Sequence, residues 1–316
     1  MVATAPPDPS CQTKVHASSF QRAHSCLPAR VLLLTVALLA LWLGCAPGSH
    51  AQQTQQASSE EQLIPWYYSA VFGTGVYTSG DRIVSVLQIP FAYQLKALTE
   101  DEWGLKEDQW GLKVVAPVSF GFYDFRFSEL VDGETPKGVG TASIFPGVEA
   151  QIPVTRNWRV KPYANVGWGW DLSDGGGALI YAGGVKSLVW APIGKDSIVS
   201  VGNQLTLAGY SPEGGTNQPI GVFVAGLNLE TPTDMRVLDR PIIVGGHLIY
   251  YYYFKRLRFP TNNDVQNKIE EQGEIAFSLS VKKAIDFNLF DLDRIGLGFR
   301  FGGGVQGVSL FFSLPY

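Results

Sequence analysis

Charge is scarce in this chain of 316 residues: Lys, Arg, Asp and Glu make up only 16% of it. Ordinary soluble domains carry about a quarter. Long apolar runs are scarcer still. The longest, Val31–Leu43, is shorter than the roughly 18 residues a spanning helix needs, and mean hydropathy is only +0.07. A helical membrane protein with many spans is excluded. Aromatic residues at 12% exclude a disordered polar chain. Cysteine and histidine are nearly missing where they would matter. Cys11, Cys26 and Cys45 all precede residue 51, and of four histidines only His247 follows it. The remainder therefore has no disulfide framework, no thiol nucleophile and no Cys/His metal set. What is abundant is glycine, at 35 residues. The composition points to a glycine- and aromatic-rich β-protein.

The first 51 residues read as a signal peptide. Arg30 precedes the apolar core VLLLTVALLALWL, and Ser49-His50-Ala51 is a small-x-small site, so cleavage is expected after Ala51. A rival lipoprotein signal at Leu43-Gly44-Cys45 has the right glycine, but Trp42 stands where a Leu-like residue is expected. Cleavage leaves 21 basic and 27 acidic residues, a net charge of −6. That balance argues against nucleic-acid binding. Residues 52–64 (QQTQQASSEEQLI) read as a short flexible periplasmic tail, and 65–316 as one domain.

Within that domain the hydrophobic period is 2. Val308, Leu310, Phe312, Leu314 and Tyr316 alternate with Ser309, Phe311, Ser313 and Pro315; Ile295, Leu297, Phe299 and Phe301 do the same before them. Ile275, Phe277, Leu279 and Val281 form a third such set. With candidates at 66–77, 82–95, 111–123, 138–154, 158–170, 177–190, 198–210, 219–230 and 240–254, twelve strands are expected. They have the length of tilted membrane strands rather than of sandwich strands, about 9–11 residues against 5–6. Trp158, Trp168 and Trp170 share one face, spaced to reach both interfaces of a bilayer. Tyr250, Tyr251, Tyr252, Tyr253 and Phe254 read as another interfacial cluster. The fold class expected is an all-β, up-and-down antiparallel transmembrane barrel of the bacterial outer-membrane type. With the last strand ending in the periplasm, 155–157, 191–197, 231–239 and 282–292 become periplasmic turns, and the longer or Gly-rich 124–137, 171–176, 211–218 and 255–270 face outside.

One connection carries a tandem repeat. EDEWGLK at 100–106 is followed by EDQWGLK at 107–113. It reads as a duplication tolerated in a solvent-exposed turn, since longer loops cost little free energy.

These features, with the terminal GVSLFFSLPY, resemble the translocator barrel of autotransporters. The stretches GTGVYTSGDRIVSVLQIPFAYQL and APVSFGFYDF are similar to its solitary, passenger-less relatives. The resemblance implies an outer-membrane location, with lipid, lipopolysaccharide, periplasmic chaperones and the barrel-assembly machinery as partners. It makes Val308, Leu310, Phe312, Leu314 and Tyr316 the assembly signal. It carries over no catalytic residue and no cofactor. Autotransporter barrels hold an α-helical linker in the pore; here only 52–64 is available, and its Gln/Ser content makes a weak helix.

The face opposite the lipid carries Glu149, Arg159, Lys161, Lys186, His247, Glu274 and Arg300. A polar wall of paired charges is the ordinary interior of such a barrel, and a constriction that selects solutes is the sharper alternative. Glu149 and Arg159, on strands joined by the 155–157 turn, are placed to pair or to line that constriction. A structural barrel or passive small-solute channel is the function expected, and no catalytic, metal or cofactor site is assigned. The alternatives are a minimal translocator and an outer-membrane hydrolase of phospholipase or lipid A modifying type. The hydrolase needs a Ser activated by a His. His247 has no Ser two residues along its own strand, as the outer-membrane phospholipase pattern requires. Gly175–Gly177 and Gly302–Gly304 read as turns rather than nucleotide loops.

Overall fold

The computed structural model describes residues 73–79, 82–98, 100–101, 104–123, 139–172, 175–194, 196–212, 217–259, 267–286 and 291–316. The expected signal peptide, tail and first-strand residues 66–72 lie outside the described residues, as does the 124–137 loop. The described chain is a closed antiparallel barrel of twelve strands, with no helix among the described residues. The strands are β1 (Gly75–Ser79), β2 (Arg82–Ile89 and Ala92–Lys96), β3 (Gly111–Val115 and Val118–Tyr123) and β4 (Val139–Ile144 and Gly147–Thr155). Then come β5 (Trp158–Asp171), β6 (Gly177–Ile193), β7 (Ser197–Pro212) and β8 (Gln218–Val237). β9 (Arg240–Phe259), β10 (Asn267–Asp286), β11 (Asp291–Gly302) and β12 (Val305–Phe311) complete the set. Each strand pairs with its neighbours in sequence, and β12 pairs with β1 from Gly75↔Ser309 to Ser79↔Val305 to close the ring.

The period-2 pattern sets the two faces. Leu227, Leu248, Ile275, Phe299 and Val308 stand opposite one another on β8 to β12, and all five are exposed on the outer surface. This row is one band of an apolar outer wall. Trp170 is exposed on the outer face of β5.

β2, β3 and β4 are each broken once, at 90–91, 116–117 and 145–146. Every break contains a proline: Pro90, Pro117 and Pro146. Proline cannot donate to the ladder. The bonds pass through neighbouring groups instead: Ala116 N donates to Phe91 O (2.8 Å), Phe145 N to Pro117 O (3.0 Å) and Val166 N to Pro146 O (2.9 Å). The breaks line up as a crease that carries Phe91 and Phe145 into the lumen.

Connections differ from expectation in several places. β8 and β9 run on to a turn at Leu238 and Asp239, whose φ values of 49° and 62° are those of a tight hairpin, so the expected loop 231–239 is mostly strand. Pro232 and the polar residues after it hid that extension; the register shifts between Pro232 and Arg236. The 282–292 connection is also shorter, since β10 reaches Asp286 and β11 starts at Asp291. The tandem repeat is not a simple exposed turn. Glu100–Asp101 pairs with Gly104–Leu105, Leu105 N donates to Arg156 O (3.1 Å), and Leu105 is fully buried. The first copy docks on the β4–β5 turn, while the second copy opens β3. Trp110 stays exposed beneath the Lys96 ammonium, 4.0 Å from its ring.

The C-terminal segment departs most from its pattern. The ladder ends at Phe311, and 312–316 line the lumen instead of continuing the outer face. Val308 and Leu310 keep the outward parity of the expected set, opposite the exposed Phe299 and Leu297, whereas Phe312, Leu314 and Tyr316 line the cavity. Tyr316 is buried against Gly202 of β7 and Gly226 of β8, where any Cβ would meet its ring, and its hydroxyl donates to Asn228 Oδ1 at 2.5 Å. The inward turn ends with Tyr316 seated on Gly202 and Gly226. Replacing Gly226 by Leu is expected to expel Tyr316 and cost about 1–3 kcal/mol in denaturant unfolding. Gly246→Ala, at a position with open space around it, is the control expected to change stability little.

Candidate functional site

The lumen is packed at one end and charged toward the other. Near the β1–β2, β7–β8, β9–β10 and β11–β12 turns it is filled by Tyr77, Val84, Ile220, Tyr253, Ile269 and Val305, with Tyr251 and Tyr316 deeper. The expected interfacial cluster on β9 is thus split by the pleat: Tyr251 and Tyr253 are buried inside, while Phe254 is exposed. Beyond this packing lies a cavity of about 550 Å³. Glu149, Arg159, Lys161, Lys186, Glu274 and Arg300 all line it. His247 points inward too, but it is buried in the wall.

Three polar clusters result. In the first, Glu274 and Arg300 are directly opposed on β10 and β11 and both buried. Arg300 Nε and Nη2 each reach Glu274 Oε2 at 2.8 Å. Tyr251 OH and Ser309 Oγ donate to the same carboxylate, at 2.9 and 2.5 Å. The guanidinium lies 4.0 Å from the Tyr251 ring and 5.7 Å from that of Tyr77. Gly298 leaves the room this needs, since a Cβ there would meet Glu274 Oε1 and Ser309 Oγ. The whole charge of the pair is thus met by hydrogen bonds, which a buried ion pair requires.

The second cluster spans β7 to β11. Asn228 Nδ2 donates to Ser200 Oγ at 2.9 Å, which leaves Oδ1 as the acceptor facing His247 Nδ1 at 2.9 Å. That fixes the proton on Nδ1, so Nε2 accepts from Ser278 Oγ at 2.8 Å. Arg294 donates to the same Ser278 Oγ at 2.8 Å and pairs with Glu230 at 2.5 Å. A Ser–His–Asn relay therefore exists. Sequence reasoning sought the Ser on the strand of His247, whereas pairing between strands brings Ser278 from β10.

The third cluster lies on β3 to β6. Glu149 stands opposite Tyr163 on one side and Lys113 on the other, and Arg159 stands opposite Pro153, so the register does not place Glu149 opposite Arg159. The Glu149 carboxylate takes Lys186 Nζ, two strands away, at 2.9 Å. Lys186 also lies 5.1 Å from the Tyr163 ring, and Tyr163 is held by Thr206 and Gln204 at 2.6 and 2.9 Å. Among the described residues no three or more His, Cys, Asp and Glu gather as metal ligands.

The class so defined is a closed twelve-stranded antiparallel barrel with an apolar outer wall and a partly packed, charged lumen. No protein-family model matches the chain, and no curated protein matches its sequence. A solved structure that resembles it is the beta domain of the Bordetella autotransporter BrkA, at 11% identity and a TM-score of 0.46, over 75% of this chain and 92% of that one. At that similarity the likeness carries no inference about activity.

The buried ion pair yields a prediction. Arg300→Met leaves Glu274 buried and uncompensated and is expected to cost about 3–5 kcal/mol. The double variant Arg300→Met/Glu274→Gln is expected to regain most of that in denaturant unfolding. A double variant no more stable than the single one would contradict the pairing account.

Proposed function

We propose that the chain is an integral outer-membrane β-barrel of the translocator type without a passenger, acting as a narrow passive channel for small solutes. The observation that carries this reading is the pairing of faces. A continuous apolar row covers the outside at Leu227, Leu248, Ile275, Phe299 and Val308, while the inside holds charged side chains around a cavity. Monomeric soluble proteins do not expose apolar surface on that scale. Lipid and lipopolysaccharide would cover it, after export and delivery by periplasmic chaperones to the barrel-assembly machinery. The aromatic packing at one end makes the path narrow rather than porin-like.

Two experiments test this. Leu248→Arg is expected to cost about 2–4 kcal/mol in unfolding from lipid vesicles, against far less for Leu248→Ala. Refolded protein in a planar bilayer is expected to show small discrete conductances that grow in Gly226→Leu, where Tyr316 is displaced. A membrane that stays silent at every voltage would overturn the channel and leave a structural barrel.

One observation favours a second reading as an outer-membrane hydrolase: the Ser278–His247–Asn228 relay, in which the base lies 2.8 Å from the nucleophile and 2.9 Å from the orienting group. In such a reaction His247 takes the Ser278 proton as Oγ adds to an ester carbonyl, and it returns that proton to the departing alcohol as the ester C–O bond breaks; a water deprotonated by the same ring then adds to the acyl-serine, releasing the carboxylic acid and giving the proton back to Ser278 Oγ. Ser278 is buried, so this reading requires movement of the segment around Phe311, whose ring packs edge-on to His247. Labelling by a fluorophosphonate probe that disappears in Ser278→Ala would support it; absence of labelling in the lipid-embedded protein would dismiss it.

A further inference from the structure

The register on β5 and β6 sets Lys161 directly opposite Lys186. Both side chains line the same cavity. Like charges in a directly opposed pair are destabilising, and burial removes the water that would screen them. The lumen compensates one of the two. Lys186 has the Glu149 carboxylate at 2.9 Å. Lys161 donates no hydrogen bond and makes no ion pair with any described residue, although it is only 9% exposed. Lys113 and Arg159 stand on the same cavity wall. Lys161, Lys186, Lys113 and Arg159 thus line this side of the lumen with Glu149, whose carboxylate holds Lys186.

A lysine that is nine-tenths buried and has no protein acceptor for its ammonium is costly to keep charged, and a bound anion lowers that cost. We propose that Lys161, with Lys113, Arg159 and Lys186 beside it, forms an oxyanion-binding site inside the lumen, and that small anions such as phosphate are its ligands. The proposal rests on the barrel reading above and names the solute class of that lumen. Glu149 sets the affinity from the opposite direction: by neutralising Lys186 it keeps the site from holding an anion too tightly for release, the balance that a permeation pathway needs. Tyr163, Gln204 and Thr206 lie beside the cations as neutral hydrogen-bonding groups and line the same cavity.

The test uses the whole refolded chain and inorganic phosphate, with sodium chloride at matched ionic strength as control. In detergent, phosphate is expected to raise the melting temperature of the wild type by several degrees and to leave Lys161→Met unchanged. Lys161→Met itself is expected to melt no lower than the wild type in the absence of phosphate, because it removes an opposed like charge. Lys161→Gln serves as a second variant, and both should keep the heat-modifiable mobility of a folded barrel. In planar bilayers the reversal potential under a salt gradient is expected to show anion preference. Millimolar phosphate is expected to reduce the chloride current, with the block weakened about tenfold or more in Lys161→Met. Equal phosphate effects on wild type and both variants, or a cation-preferring current, would overturn the site. A silent membrane combined with phosphate stabilisation that depends on Lys161 would overturn the channel and uphold the site.

Discussion

The constraint on which this structure depends is that every backbone N–H and C=O of the wall must find its partner within the wall, a demand that the bilayer proposed to cover the apolar outer face makes absolute. The seam between β1 and β12, Gly75↔Ser309 to Ser79↔Val305, is therefore the pairing that makes the other strands viable. The three prolines of the crease show the same constraint from the other side. Each removes a donor, and each break is bridged by a bond to an adjoining carbonyl. Once the ring is closed, the pleat divides every strand into a residue for the outside and a residue for the inside.

Closure also creates the chemistry. Inward side chains are forced to satisfy one another in a confined space, and the result is not uniform. Glu274 and Arg300 are met from all sides by Tyr251 and Ser309 and behave as part of the wall. His247, Asn228 and Ser278 are likewise linked end to end, with Tyr316 hydrogen-bonded to Asn228. The β3–β6 side is different. There Glu149 holds Lys186, and Lys161, opposite Lys186, lines the cavity with no hydrogen bond or ion pair of its own to a described residue. The balanced clusters hold the barrel together, and the unbalanced one is where a solute would find a reason to stay.

Much of the fold was legible in the sequence because period 2 is a local property. The number of strands, the positions of those after the first, the inward set Glu149, Arg159, Lys161, Lys186, His247, Glu274 and Arg300, and the outward Trp170 all follow from parity along each strand. Parity does not say where a strand ends. Thr231–Val237 looks like a polar loop and is a hairpin arm; Phe312–Tyr316 looks like a strand and is not one. Hydropathy failed at both places because whether a segment joins the ladder or packs elsewhere, as Tyr316 does on Gly202 and Gly226, is not encoded in the segment itself. Likewise Tyr251 and Tyr253 belong to an unbroken aromatic run, and only the pleat separates them from Phe254.

The sequence by itself determined a barrel with two faces, since alternation of apolar and polar residues is written residue by residue along the chain. Only the tertiary structure decided which inward residues meet. Register between strands placed Ser278 near His247 and Lys161 against Lys186, and the curvature of the wall brought Lys186 to Glu149 across β5. Register between β7 and β8 set Gly202 beside Gly226, and the fold of the C-terminal segment brought Tyr316 into that slot. These contacts join residues far apart in the chain, and their geometry exists only when the twelve strands have closed on one another.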